Sequence, residues 1–259
     1  MDNDRSFGSL VNNIHDFTQH DGVIYGLRKN ALKVFAWNQE DGTRIAENDF
    51  DLDPANAAPQ GISYDEGYLY VPDSGTLTVF AYTMQGVRDT AKEFALDPEN
   101  TAPRGCDHYD DRIWITDKDA KRTFNYKRDG TRDPPNQIVL IDNNQKPVGF
   151  AFVDNKYKVL DGKTGRVEAY TKSGTYDMAG SFHAGIDLTG SANVPVLRGM
   201  TYRNMNWHIV YTQGSDIKLD ILRPDGTTIT HIYVLGSSGD DSHTQTPVSY
   251  THLTLPTKA

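Results

Sequence analysis

Apolar and polar positions along this chain alternate in short bursts, not in long helical waves. Between residues 62 and 96 the runs ISY, YLYVPD, LTVFAYT and KEFAL are separated by DEG, SGT and MQG. Short runs rich in Val, Ile, Tyr, Phe and Thr, bounded by Gly, Asp and Ser, predict β-strands joined by tight turns. The same alternation returns as VIYGL and LKVFAW, RIWITD and TFNYK, YKVLD and RVEAY, and WHIVYTQ and KLDILR. No window of a dozen residues keeps a 3.6-residue apolar period free of Gly or Pro, so the pattern predicts no helix.

The bursts repeat. FDLDPANAAPQG at 50–61 returns as FALDPENTAPRG at 94–105. In that register Gly61, Gly105 and Gly149 lie 44 apart, and Gly199 follows 50 later. Asn56, Asn100 and Asn144 share the spacing, as do Pro59, Pro103 and Pro147. Turn glycines at 42, 86, 130, 174 and 226 form a second marker, with three spacings of 44 and a last one of 52. Four strands in about 44 residues define a β-propeller blade, because β-helix coils are shorter and helical repeats need 3.6 periodicity. The dodecapeptide then crosses from the outermost strand of one blade to the innermost strand of the next. Asp and Asn bond nearby backbone groups, Pro fixes φ, and Gly admits a tight start to the next strand.

Five complete units are expected, at 17–60, 61–104, 105–148, 149–198 and 199–242. Residues 1–16 match the end of a unit, Phe7 standing in the place of Phe94, and are expected to give the outer strand of a closing blade. A lone N-terminal outer strand commonly completes the last blade, so a six-bladed parent is expected, of which this chain holds five blades and a strand. The segment 243–259 is expected to be a non-native or disordered tail. Within it PVSYTHLTLPT departs from the repeat and reads as the conceptual translation of a transposon-based sequencing adaptor, a segment excluded from fold reasoning.

Composition narrows the function classes. The 35 acidic and 26 basic residues of this 259-residue chain give a net charge of -9, with basic residues scattered singly. That balance argues against nucleic acid or an anionic membrane as a partner. Mean hydropathy of -0.60 and the lack of a long apolar run argue against membrane insertion. Cys106 is the only cysteine, so no internal disulfide forms and no Cys-based zinc site exists. Nothing in the sequence points to an oligomer.

The strand ends YVPD, WITD and KVLD, each followed by a polar turn and then TVFAY, TFNY or RVEAY, resemble NHL-type repeats. They also resemble the wider six-bladed, TolB-like group that includes strictosidine-synthase-like and gluconolactonase-like proteins. The resemblance covers most of residues 17–242. It implies a binding platform or, in the lactonase branch, a divalent-metal hydrolase with carboxylate and Asn ligands in the central channel. Asp73, Asp117 and Asp161 are conceivable ligands there, but an Asp recurring once per unit is better read as a hairpin cap.

Asp107 and His108 stand out, since equivalent positions hold Ser63 and Tyr64, Ala151 and Phe152, and Thr201 and Tyr202. An acid beside a histidine on an innermost strand is a candidate for metal or polar-ligand binding. Arg104 and Arg198, just ahead of the innermost-strand glycines, are placed to draw an anionic ligand to the channel mouth. Pairing with nearby acids is their favoured competing role. The enlarged crossing at 182–199 offers His183, Asp187 and Asn193 as further ligand-binding candidates, because insertions in repeat proteins cluster on binding faces. Replacing its residues 184–197 with the shorter DPENTAP crossing is expected to leave folding intact. DGKTG at 161–165 lacks the upstream glycine of a phosphate loop, and no HExxH or G-x-S-x-G spacing occurs. The favoured reading is a non-enzymatic propeller, extracellular or at the cell surface, that binds a protein or carbohydrate without a cofactor. The alternative is a Ca2+-dependent, lactonase-like hydrolase using the channel around Asp107 and His108.

Overall fold

Each predicted burst forms a strand, and the strands pair with their sequence neighbours because short turns permit nothing longer. The protein is seen in a computed structural model that describes residues 14–39, 43–134, 137–189, 194–203, 205–213 and 216–234. Blade 1 comprises β1 (Asp16–His20), β2 (Val23–Arg28), β3 (Lys33–Asn38) and β4 (Phe50–Asp51). Blade 2 follows with β5 (Ser63–Asp65), β6 (Tyr68–Asp73), β7 (Thr78–Thr83) and β8 (Phe94–Ala95). Blade 3 holds β9 (Pro103–Tyr109), β10 (Arg112–Asp117), β11 (Arg122–Lys127) and β12 (Ile138–Val139). Blade 4 holds β13 (Pro147–Val153), β14 (Lys156–Asp161), β15 (Arg166–Thr171) and β16 (Tyr176–His183). Blade 5 holds β17 (Val196–Arg203), β18 (Asn206–Gln213), β19 (Asp216–Leu222) and β20 (Thr228–Val234). All five are antiparallel four-stranded sheets in sequence order, and together they form the five blades of a β-propeller.

The core is divided among the blade interfaces. In β6, Leu69 and Val71 pack toward blade 1 while Tyr70 packs toward blade 3; in β10, Ile113 and Ile115 face blade 2 while Trp114 faces blade 4. Both sheet faces are covered, so these strands read as nearly unbroken apolar runs. Complete burial of a side chain such as Ile113 contributes about 1.5–3 kcal/mol.

The ring closes with five sheets, where the sequence points to six in a longer parent. The innermost strands β1, β5, β9, β13 and β17 are neighbours around the axis, β17 returning to β1. Ile14, Phe17, Phe35 and Trp37 of the blade 1 unit pack against Val210 and Leu219 of blade 5. β1 begins at Asp16, one residue before the expected unit start. Residues 1–13 and 235–259, which carry most of the expected outer strand and the whole tail, lie outside the described residues.

Two hydrogen-bonded devices explain the repeated Asp, Asn and Tyr. Asp117 Oδ1 accepts from the N–H groups of Asp119 and Ala120, closing its hairpin, and Oδ2 accepts from Ala102 N in the incoming crossing. Asp73 and Asp161 do the same with Ala58 N and Lys146 N. All three are fully buried. The hydroxyl of Tyr126 accepts from Asp97 N and Asn100 Nδ2, and that of Tyr82 from Asp53 N and Asn56 Nδ2. The crossings into blades 2, 3 and 4 are thus each tied at two points to the blade they enter.

Candidate functional site at the crossing end of the channel

The crossings and the turns between second and third strands share one end of the ring, since Pro59 bridges Asp73 and Ser74 N donates to Ala58 O. The closing pairs of the first hairpins, such as His20 with Val23 and Tyr109 with Arg112, align the innermost strands residue by residue. One layer then consists of Asp16, Gly61, Gly105, Gly149 and Gly199. The layer above it, toward the crossings, consists of His15, Gln60, Arg104, Val148 and Arg198.

The glycine layer forms a floor. A Cβ on Gly149 would stand 2.8 Å from Met200 N, so the innermost strands meet backbone to backbone. Asp16 alone carries a side chain there, and it fills the space against Gly199. Its Oδ2 accepts from Ile62 N at 3.0 Å and its Oδ1 from Phe17 N at 2.9 Å. Burial raises the Asp16 carboxyl well above the ordinary range, against the pull of those two N–H groups, and nearby Asp107 adds to the rise.

Above the floor the mouth is cationic. Arg104 Nη1 donates to Gln60 Oε1 at 2.6 Å, and Arg198 Nε donates to Thr212 Oγ1 at 3.2 Å. His15 hydrogen-bonds the same Gln60, yet burial and the charges of Arg198, Lys29 and Arg104 push its pKa down to about 3. Burial also lowers Lys29 and Lys146, and each feels both Arg104 and Arg198; burial lowers Arg198 as well. Asp73 and Asp161 face Lys29 and Lys146, but both are held by backbone N–H groups.

Among the described residues none of these five cations lies within 4.0 Å of a carboxylate. Seven other arginines do: Arg44, Arg88, Arg112, Arg122, Arg128, Arg132 and Arg166. The expected pairing of Arg104 and Arg198 with acids is therefore not what the structure shows; the acids at this end are consumed by turn capping. Sequence reasoning missed His15, Lys29 and Lys146. Aligning IHDF at 14–17 with PRGC at 103–106 finds His15, because it sets Asp16 on the glycine layer.

The other candidates lie elsewhere. Adjacent residues on a strand point to opposite faces, and His108 turns toward blade 2, where its Nε2 lies 3.2 Å from Asp65 Oδ2. Arg128 grips both oxygens of Asp65, at 2.6 and 3.1 Å, and also reaches Glu66 and Asp111. Burial lowers His108, with Asp65 opposing. Asp107 Oδ1 accepts from His108 N at 2.8 Å. Among the described residues no three His, Cys, Asp or Glu side chains converge as metal ligands. Asp107 and His108 thus lack the third ligand that a metal site requires.

On the enlarged crossing, His183 Nδ1 accepts from Gly185 N and Asp187 Oδ1 from Thr189 N, each serving its own local turn. Asn193 lies outside the described residues. Ala184, Ile186 and Leu197 are buried in the core between blades 4 and 5, so exchanging 184–197 for DPENTAP would remove core side chains, contrary to the expectation that folding survives it. Among the described residues no helix is long and apolar enough to cross a membrane.

The fold is shared with proteins of known structure. A chain of a nidogen/laminin complex is 19% identical with a TM-score of 0.55, over 85% of this chain and 79% of that one. Virginiamycin B lyase from Staphylococcus aureus is 17% identical with a TM-score of 0.51, over 85% and 69%. Glutaminyl cyclase from Myxococcus xanthus is 11% identical with a TM-score of 0.57, over 83% and 97%. At these identities the likeness establishes the β-propeller architecture, on which binding proteins and enzymes both occur. No family model and no curated protein matches the chain.

Proposed function

We propose that this protein is a non-enzymatic binding module that recognises a protein, glycan or other cell-surface ligand through the crossing end of its channel. The observation that carries the reading is the set of His15, Lys29, Arg104, Lys146 and Arg198 around the mouth, without a carboxylate partner among the described residues. Desolvating basic groups beside one another is costly unless a counter-charge arrives, and burial lowers four of these five groups, His15, Lys29, Lys146 and Arg198. Kinship with NHL-type repeat proteins belongs to the same proposal, supported by the strand-end Asp and third-strand Tyr of each regular blade.

The lone buried cysteine gives a direct test. Cys106 is buried, and burial pushes its thiol up, so an introduced exposed cysteine can be labelled selectively. Thr101 lies exposed on a crossing and Asp110 lies exposed at the opposite end. Thr101→Cys and Asp110→Cys proteins, each carrying a bulky maleimide, are applied to glycan and surface-protein arrays. Ligand capture is expected to be lost only with the block at Thr101. Capture that survives there and fails at Asp110, or metal-dependent turnover of a lactone, overturns the reading.

A further inference from the structure

With the crossing end as the binding face, we infer that its mouth is a pocket for a compact, multiply charged oxyanion, a sulfate or phosphate group, gripped by Arg104 on one side of the ring and by Arg198 and His15 on the other.

Four features of the mouth converge on that chemistry. Arg104 and Arg198 are each oriented by one hydrogen bond, to Gln60 and to Thr212. The other N–H groups of both have no partner among the described residues. A planar guanidinium fixed in this way offers two parallel donors to an oxyanion. At the glycine layer immediately below, the innermost strands approach backbone to backbone with Asp16 between two of them, which suits a compact group at the mouth. Lys29 and Lys146 add charge at the rim, which suits a dianion over a single carboxylate. The net charge of the whole chain is -9, so the cations are concentrated against the general balance. Burial shifts the Asp16 carboxyl in the floor upward, which lessens the repulsion an incoming anion meets there.

Proton and anion binding are coupled in such a pocket. His15 faces Arg198 from β17, Lys29 from the turn after β2, and Arg104 with Gln60 from blade 3 and the crossing into blade 2. The largest charge effects on it all come from cations. A bound dianion reverses that field and favours the imidazolium. By reciprocity, a proton on His15 strengthens anion binding, so affinity rises as pH falls from the value His15 takes with the anion bound toward its free value of about 3.

Inorganic sulfate is the first probe, because its charge does not change over that range. Calorimetric titration at constant ionic strength is expected to show saturable one-to-one binding, tighter than that of acetate. Affinity should rise about threefold from about pH 7.5 to about pH 5.5, and His15→Gln should remove that rise. The Arg104→Gln/Arg198→Gln protein should bind about tenfold more weakly, while Arg88→Gln, which alters an arginine paired with Asp53 and Glu93, should bind as the parent does. In the unsubstituted protein, sulfate should move the His15 ring resonances and raise their titration midpoint. Sulfate binding no tighter than acetate, or unchanged in the double variant, overturns the inference. If the double variant does not fold, His15 resonances that ignore sulfate overturn it. Inorganic phosphate and a sulfated disaccharide distinguish the source: tighter binding of the disaccharide assigns the group to a glycan, equal binding to a free ion. Failure of sulfate with ligand capture still blocked at Thr101 removes only the oxyanion pocket; sulfate binding without any array ligand removes only the macromolecular reading.

Discussion

Blades 2, 3 and 4 are built alike, and blades 1 and 5, which meet where the ring closes, are not. In the regular blades a buried Asp ends the second strand and a Tyr in the third strand pins the incoming crossing. At the aspartate position blade 1 carries Arg28 and blade 5 carries Tyr211; at the tyrosine position they carry Trp37 and Leu222. Both devices are lost together, because each ties down the same loop. In their place blade 5 extends its hairpin to Gln213 and Asp216, and its incoming crossing is anchored by Ala184 and Ile186 in the core. Among the described residues the apolar contact between blades 5 and 1 involves six buried side chains, against thirteen between blades 4 and 5. A loop held by apolar burial thus enters blade 5 where loops held by buried polar bonds enter the regular blades, and Arg28 and Tyr211 stand in blades 1 and 5 at the place of the turn-capping Asp.

The largest expected effect concerns the turn glycines within the regular blades, where two equivalent turns are packed differently. Gly130 has φ near +81°, and an added Cβ would fall on Phe94 Cβ; Gly174 has φ near +80°, but its nearest neighbour is 3.8 Å away. Gly130→Ala combines backbone strain with overpacking and should cost about 3–5 kcal/mol in denaturant unfolding, against about 1–2 for Gly174→Ala. Equal costs would mean that strain alone governs both turns.

Asp117→Ala leaves three part-buried N–H groups without an acceptor and should cost about 3 kcal/mol. Tyr211→Phe at the equivalent place in blade 5 removes a hydroxyl that donates to Asp220 and should cost about 1 kcal/mol.

The closing blades should also dominate acid sensitivity. His15 has a folded pKa of about 3, below its ordinary 6.5, so the unfolded chain binds more protons between those values. Stability is unaffected by His15 above about pH 6.5 and falls as pH drops toward 3, by about 2 kcal/mol at about pH 4. His15→Gln should flatten that decline in a series of melts, and an unchanged slope would remove His15 as its source.

A smaller contrast is expected at the pinning tyrosine: Tyr126→Phe, which removes the acceptor for Asp97 N and Asn100 Nδ2, should cost about 1–2 kcal/mol. Leu222→Met in blade 5, which has no hydroxyl to lose, should change stability by less than about 1 kcal/mol. Similar losses at both sites would show that packing, and not the pinning bond, sets the value of this position.

The chain by itself determined what depends on local backbone demands. A turn that needs positive φ, a crossing that needs a proline and a hairpin that needs an acceptor write the same residues into every regular unit, so Gly130, Pro103 and Asp117 announce the blades. The sequence also placed Arg104 and Arg198 at the mouth, from their position ahead of the layer glycines. Tertiary structure alone decided which charges meet. Arg128 finds Asp65 across 63 residues, and Asp16 bonds Ile62 across 46, whereas Arg104 and Arg198 find no acid among the described residues. Charge pairing between blades depends on distances that no local spacing encodes, so the cationic mouth appears only once the five sheets stand around one axis.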